Sequence, residues 1–170
     1  MEYFICIYPY LMNGKEIIKK IKNDSNSDLP SNEEVNKWIE EIKNTASELP
    51  HYLDGKTFNL LSKEIKEVLH QHNIFPNPFL EKLDGYRYVD EINELFRGKF
   101  IRWIRIETKT KIPKLTNGAM VMEIKFLDDG IQVLCRNGAN RFIQFKWDDC
   151  LVFQKLTDEE WMLLSVKSHI

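Results

Sequence analysis

Between Gly98 and Lys114 the chain reads GKFIRWIRIETKTKIPK, and Lys99, Trp103, Arg105, Lys109, Lys111 and Lys114 there have types suited to one chemistry. Lysine and arginine neutralise phosphates, and an aromatic ring offers a flat surface on which a base stacks for about 1–3 kcal/mol. Side chains of a strand alternate between its faces. Read as one regular strand, Lys99, Ile101, Trp103, Arg105, Glu107, Lys109 and Lys111 share a face, and Phe100, Ile104 and Ile106 share the other, with Arg102 discordant. Sequence-nonspecific contact with nucleic acid is therefore one expectation. The competing one is that Ile101 and Trp103 belong to the core and the cations form a solvated rim, since lysines on strand ends also discourage edge-to-edge aggregation.

Other constellations carry less. Gly55-Lys56-Thr57 ends like a phosphate-binding loop, but Pro50 stands where that loop needs a glycine and no strand precedes it. His70 and His72 are two apart, so on a helix they point away from each other and cannot share a metal. Asp128-Asp129 and Asp148-Asp149 fall at expected turns, where aspartate bonds its own backbone. Cys6, Cys135 and Cys150 are odd in number and lack metal or disulfide spacing. Trp103, Phe142, Trp147 and Phe153 have the types of an aromatic cage and equally of a barrel core. The expectation is no catalytic motif, no cofactor and no metal.

These residues need elements to hold them. The 170-residue chain is long enough to build a core without disulfides, with 43% hydrophobic and 29% charged residues. Met1–Met12 lacks the basic start and cleavage site of a signal peptide, and no apolar run is long enough to span a bilayer, so a soluble intracellular protein is expected. Charge divides unevenly: residues 1–96 hold 11 Lys+Arg against 17 Asp+Glu, and residues 97–170 hold 13 against 9. Such asymmetry fits a polyanionic partner or two lobes that attract each other.

Apolar residues recur at helical spacing through most of residues 1–96. Val35, Trp38, Ile39, Ile42, Ala46 and Leu49 follow a Ser31–Glu34 capping pattern, and Phe58, Leu61, Ile65, Val68 and Leu69 follow Thr57. With a helix after Asn13 and another over Tyr88–Phe96, this predicts a lobe of about four helices, with a strand at residues 3–8. From Phe100 onward the period becomes two, punctuated by Asp129-Gly130 as a type I′ turn and by Asn137-Gly138. The fold class predicted is α+β: a helical lobe (1–96) packed on a five-stranded antiparallel small barrel or curled sheet (97–170) with a short C-terminal helix, the two forming one unit.

Gly98-Lys99-Phe100-Ile101-Arg102-Trp103-Ile104, Leu115-x-x-Gly118-Ala119-x-Val121 and Phe153-x-Lys155 together resemble a small β domain of amoeba-infecting large DNA viruses of the marseillevirus and mimivirus kind. The resemblance covers residues 97–156, departs at Ala119 where a second glycine is common, and implies a viral protein with no assigned catalytic residues. The leading expectation is a non-enzymatic protein-interaction or structural module with a protein partner. The alternative is a nucleic-acid-binding protein using the basic strand.

Overall fold

The computed structural model describes residues 50–106 and 112–167. Pro50–Leu156 forms one compact unit, and the helix α3 (Asp158–Lys167) belongs to a second. The first unit contains α1 (Phe58–Gln71), the short α2 (Asn77–Leu80), and six strands: β1 (Tyr86–Val89), β2 (Phe100–Arg105), β3 (Ala119–Leu127), β4 (Gly130–Arg136), β5 (Phe142–Lys146) and β6 (Cys150–Lys155). The strands make one antiparallel sheet in the order β1-β6-β2-β3-β4-β5.

α1 shows how local sequence sets an element. Thr57 stays extended and its Oγ1 accepts from the Leu60 N–H, capping the first turn. Leu61, Ile65 and Leu69, spaced by four, form the buried stripe. The helix stops at Asn73, which takes φ 56°, so that the Asn73 N–H reaches the His70 carbonyl and the Ile74 N–H reaches that of Leu69. This pair of bonds is a Schellman motif, and its apolar clasp, Ile74 with Leu69, is buried in the same cluster. In the second unit, Thr157 and Glu160 cap α3 reciprocally: each side-chain oxygen accepts from the other's backbone N–H, at 3.2 and 2.8 Å.

The two faces of the sheet bury different clusters. On one face Tyr86, Ile104, Leu151 and Phe153 pack with Ile65, Leu69 and Ile74. On the other, Ile101, Trp103, Val121, Val133, Cys135, Phe145 and Val152 form a core within the sheet's own curvature. The rings of Trp103 on β2 and Phe145 on β5 stack at 4.5 Å although two strands lie between them. In a flat sheet those backbones would stand about 14 Å apart, so the sheet must bend toward this face. A register shift between Val121 and Glu123 gives β3 a bulge that helps the bend.

Several expectations are corrected here. The sheet has six strands rather than five and is not a barrel: among the described residues nothing pairs with the outer edges of β1 and β5. The extra strand lies where a helix over Tyr88–Phe96 was expected. The spacing of Val89, Ile92, Leu95 and Phe96 suits a helix, but Gly85 turns the chain at φ 72° and Tyr86–Val89 pairs with β6, leaving only a single 3₁₀ turn at Ile92–Glu94. Strand pairing thus overrode a local helical pattern. A four-helix lobe is not shown, because the described part of residues 1–96 holds one long helix, one four-residue helix and a strand. The helices after Asn13 and Ser31 and the strand at 3–8 lie outside the described residues. The turn between β3 and β4 is centred on Asp128-Asp129, since Leu127 pairs with Gly130, and only Gly130 takes positive φ. It is therefore not the type I′ turn expected at Asp129-Gly130.

Candidate functional site

The residues singled out from sequence do not form one surface. Trp103 is 3% exposed and its ring lies against Phe145, so it offers no face to a ligand. Arg105 shares its side of β2 but is exposed, at a polar cavity of about 350 Å³ lined also by Gln132, Gln144, Lys146 and Asp149. Lys99 is half-buried, with its carbonyl accepting from the Val121 N–H at 2.9 Å. β2 ends at Arg105, so Lys114 is exposed on a loop rather than on the strand, while Lys109 and Lys111 lie outside the described residues. The apolar alternation of Ile143 and Phe145 in β5 was the signal that Trp103 had a partner inside.

A different group of residues converges at β1. The Leu156 N–H donates to the Gly85 carbonyl at 2.9 Å, which fixes the alternation of the ladder. Arg87 and Val89 therefore turn their backbone groups toward β6, and Tyr86 and Tyr88 turn theirs outward, to an edge that no described strand covers. α1 stands along this edge. Together with the turn at His51–Leu53 and the one at Ile92–Glu94 it walls a groove of about 500 Å³. Glu64, Glu67, Asp90 and Glu94 line it, opposed by Lys56 and Arg87. Next to it, sharing Leu61, lies a smaller apolar cavity of about 80 Å³ between Ile65, Leu80, Leu83 and Tyr86.

Arg87 organises this region. It is 2% exposed, and its guanidinium lies 3.6 Å from the centre of the Tyr52 ring. Nη1 donates to Glu94 Oε2 at 2.7 Å, and Nη2 donates to the Glu94 carbonyl at 2.9 Å and to Gln154 Oε1 at 3.4 Å. An arginine so deeply placed is tolerable only because its charge is answered, and the fork geometry of guanidinium suits two bonds to one residue. Arg87 thereby ties β1, β6 and the Glu94 turn to Tyr52. Lys56 pairs with Glu64 at the groove rim and Lys63 with Glu67 at 3.7 Å. Burial raises the Tyr88 hydroxyl above its ordinary pKa, and the nearby Asp90 carboxylate adds to that. The signal for this site in the sequence was the alternating YRYV between Gly85 and Asp90, which reads as a strand.

Chemistry is limited elsewhere. Burial pushes the Cys135 thiol up to about 12 and the Cys150 thiol up to about 11, so neither supplies a thiolate at neutral pH. Among the described residues no three His, Cys, Asp or Glu side chains converge as a metal site, and no helix is long and apolar enough to cross a membrane. No family model matches the chain, and no curated protein or solved structure is detectably similar to it.

Proposed function

We propose that this chain is a protein-interaction module that captures an extended, basic segment of a partner protein along the outer edge of β1. The observation that carries this reading is a strand edge that no described strand covers, with an acidic groove beside it. An extended peptide adds to such an edge through main-chain hydrogen bonds, and pockets beside it select its side chains. Here the outward N–H and C=O groups of Tyr86 and Tyr88 would supply the bonds. Asp90, with Glu64, Glu67 and Glu94 that each already meet one cation, would select lysine or arginine. The small apolar cavity beside Tyr86 has room for one aliphatic side chain. Residues 50–94 hold five Lys+Arg against eight Asp+Glu, so the charge around the groove also favours a cationic partner.

The test is a titration of the isotopically labelled full chain, followed by NMR, with a peptide alternating lysine and valine and with its glutamate-valine counterpart. Micromolar binding of the basic peptide should shift and protect the amides of Tyr86 and Tyr88. Changing Glu67 and Asp90 together to Lys should weaken it by about tenfold or more. Unmoved β1 amides at millimolar peptide, or equal binding of the acidic peptide, would discard the proposal.

A further inference from the structure

A second surface, on the same sheet but away from the β1 groove, has no cover among the described residues. The registers place Phe100, Met120, Arg136 and Phe142 directly opposite one another on β2, β3, β4 and β5. Cross-strand partners project from the same face, so these four side chains form one row across the sheet. All four are exposed, Phe142 at 64% and Met120 at 42%. This face is the one opposite Trp103, because Phe100 alternates with Ile101 along β2.

Two features separate this row from scattered surface apolar residues. Phe100 is seated: a side chain at Gly118 would come within 2.5 Å of its ring, and Gly118 takes φ 99°, so the ring rests on bare backbone. Arg136 stands between Met120 and Phe142 with no ion pair among the described residues, and Arg141 is exposed next to Phe142. Further along the same face, beyond the line Glu123–Leu134–Gln144, stands the line Lys125–Gln132–Lys146, in which Lys125 pairs with Glu123 at 3.5 Å. Residues 95–156 hold twelve Lys+Arg against six Asp+Glu, the reverse of the β1 side.

We infer that the outer face of β2–β5 binds single-stranded nucleic acid, with Phe100 and Phe142 as stacking platforms and Arg136 and Arg141 on the phosphates. The chemistry fits this occupant better than others. Two rings in one row, about 14 Å apart across three strand spacings, suit two separated bases. The cations between and beside them answer the phosphate backbone, which a purely apolar partner would not use. The bend toward the Trp103 side leaves this face convex, which suits splayed bases more than the stiff rod of a duplex.

The experiment is fluorescence anisotropy of labelled oligo-dT and of a duplex of equal length, with the full chain at 50 and 200 mM salt. Oligo-dT should bind more tightly than duplex. About three neutralised phosphates would weaken that binding roughly twentyfold over this salt range. Phe142→Ala should lose about fivefold to a hundredfold in affinity, and Arg136→Glu at least as much. Both residues are exposed, so the variants should keep the wild-type circular dichroism and unfolding midpoint. Gly118→Ala, which displaces the Phe100 ring, should weaken binding in the same direction. No binding of oligo-dT at 50 mM salt overturns the inference. So does binding that ignores salt or survives Phe142→Ala and Arg136→Glu unchanged. Concentration-dependent self-association abolished by Phe142→Ala, without nucleic-acid binding, overturns it in favour of a second copy of the chain.

Discussion

The β1 end and the β5 end of this sheet are built from similar strands and finished in opposite ways. At the β1 end, α1 packs over one face, Tyr52 and Glu94 close around Arg87 on the other, and a strand edge that no described strand covers lies beside an acidic groove. At the β5 end no described element covers the outer face, and Phe100, Met120 and Phe142 stay in water beside cations. Burying a phenylalanine or methionine stabilises by about 1.5–3 kcal/mol, so a folded chain that leaves three such residues exposed in one row forgoes that gain. Single exposed apolar residues need no explanation, but a contiguous row does. The contrast teaches that packing around a sheet edge builds a groove, while the lack of a described cover leaves an exposed face.

The contrast can be broken most sharply by core truncation at each end. Leu69→Ala, fully buried on α1, should cost about 2–5 kcal/mol in a denaturant titration. Phe142→Ala should change stability by no more than about 0.5 kcal/mol, as a surface change away from special features does. Equal costs would mean that the β5 face is not bare. Next in size, Arg87→Ala should destabilise by about 2–3 kcal/mol, somewhat below the range for a fully buried pair because Glu94 is 27% exposed. The double variant with Glu94→Ala should recover part of that loss, and a strictly additive cycle would show that the pair is not coupled.

The smallest effect at neutral pH comes from the thiols of the Trp103-side core. Folded Cys135 and Cys150 hold their protons to about 12 and about 11, against an ordinary 9.0. A group whose folded pKa is raised contributes stability that is whole below its unfolded pKa and lost as pH rises toward the folded one. Stability should therefore be insensitive to these thiols up to pH 8 and fall between about pH 9 and 12. Alkylation of both thiols at pH 8, read peptide by peptide, should be slow in the native protein and fast in denaturant. Rapid native labelling of Cys135 would show that the curled core opens more readily than its burial implies.

Much of the local structure was legible. Thr57, the Leu61–Ile65–Leu69 stripe and the Thr157–Glu160 pair announce their helices, because capping and amphipathic spacing act within a few residues. The alternation of β2 was also legible as far as Arg105, where the strand ends, with Ile101 and Arg105 on the side of Trp103. What could not be read was which side is dry. Ile101 and Trp103 on one face, and Phe100 and Ile104 on the other, are apolar on both. Only the stacking of Trp103 on Phe145, from a strand three places away, decides that the ring is inside. The β1 strand was misread for a related reason. Val89, Ile92 and Leu95 keep a helical period, and it takes β6, more than sixty residues later, to hold Tyr86–Val89 extended.

The sequence by itself thus determined where α1 and α3 begin, that the second half is a run of antiparallel strands, and that charge is negative before residue 95 and positive after it. These depend on nearest neighbours along the chain or on composition. Tertiary structure alone decided that the described sheet has six strands with no described strand beyond β1 or β5, that Trp103 is core, and that Arg87 meets Tyr52, Glu94 and Gln154. It also decided that Phe100, Met120, Arg136 and Phe142 stand in one row. The physical reason is that strand pairing joins residues of any separation, so the surfaces that can meet a partner are set by register and curvature rather than by spacing.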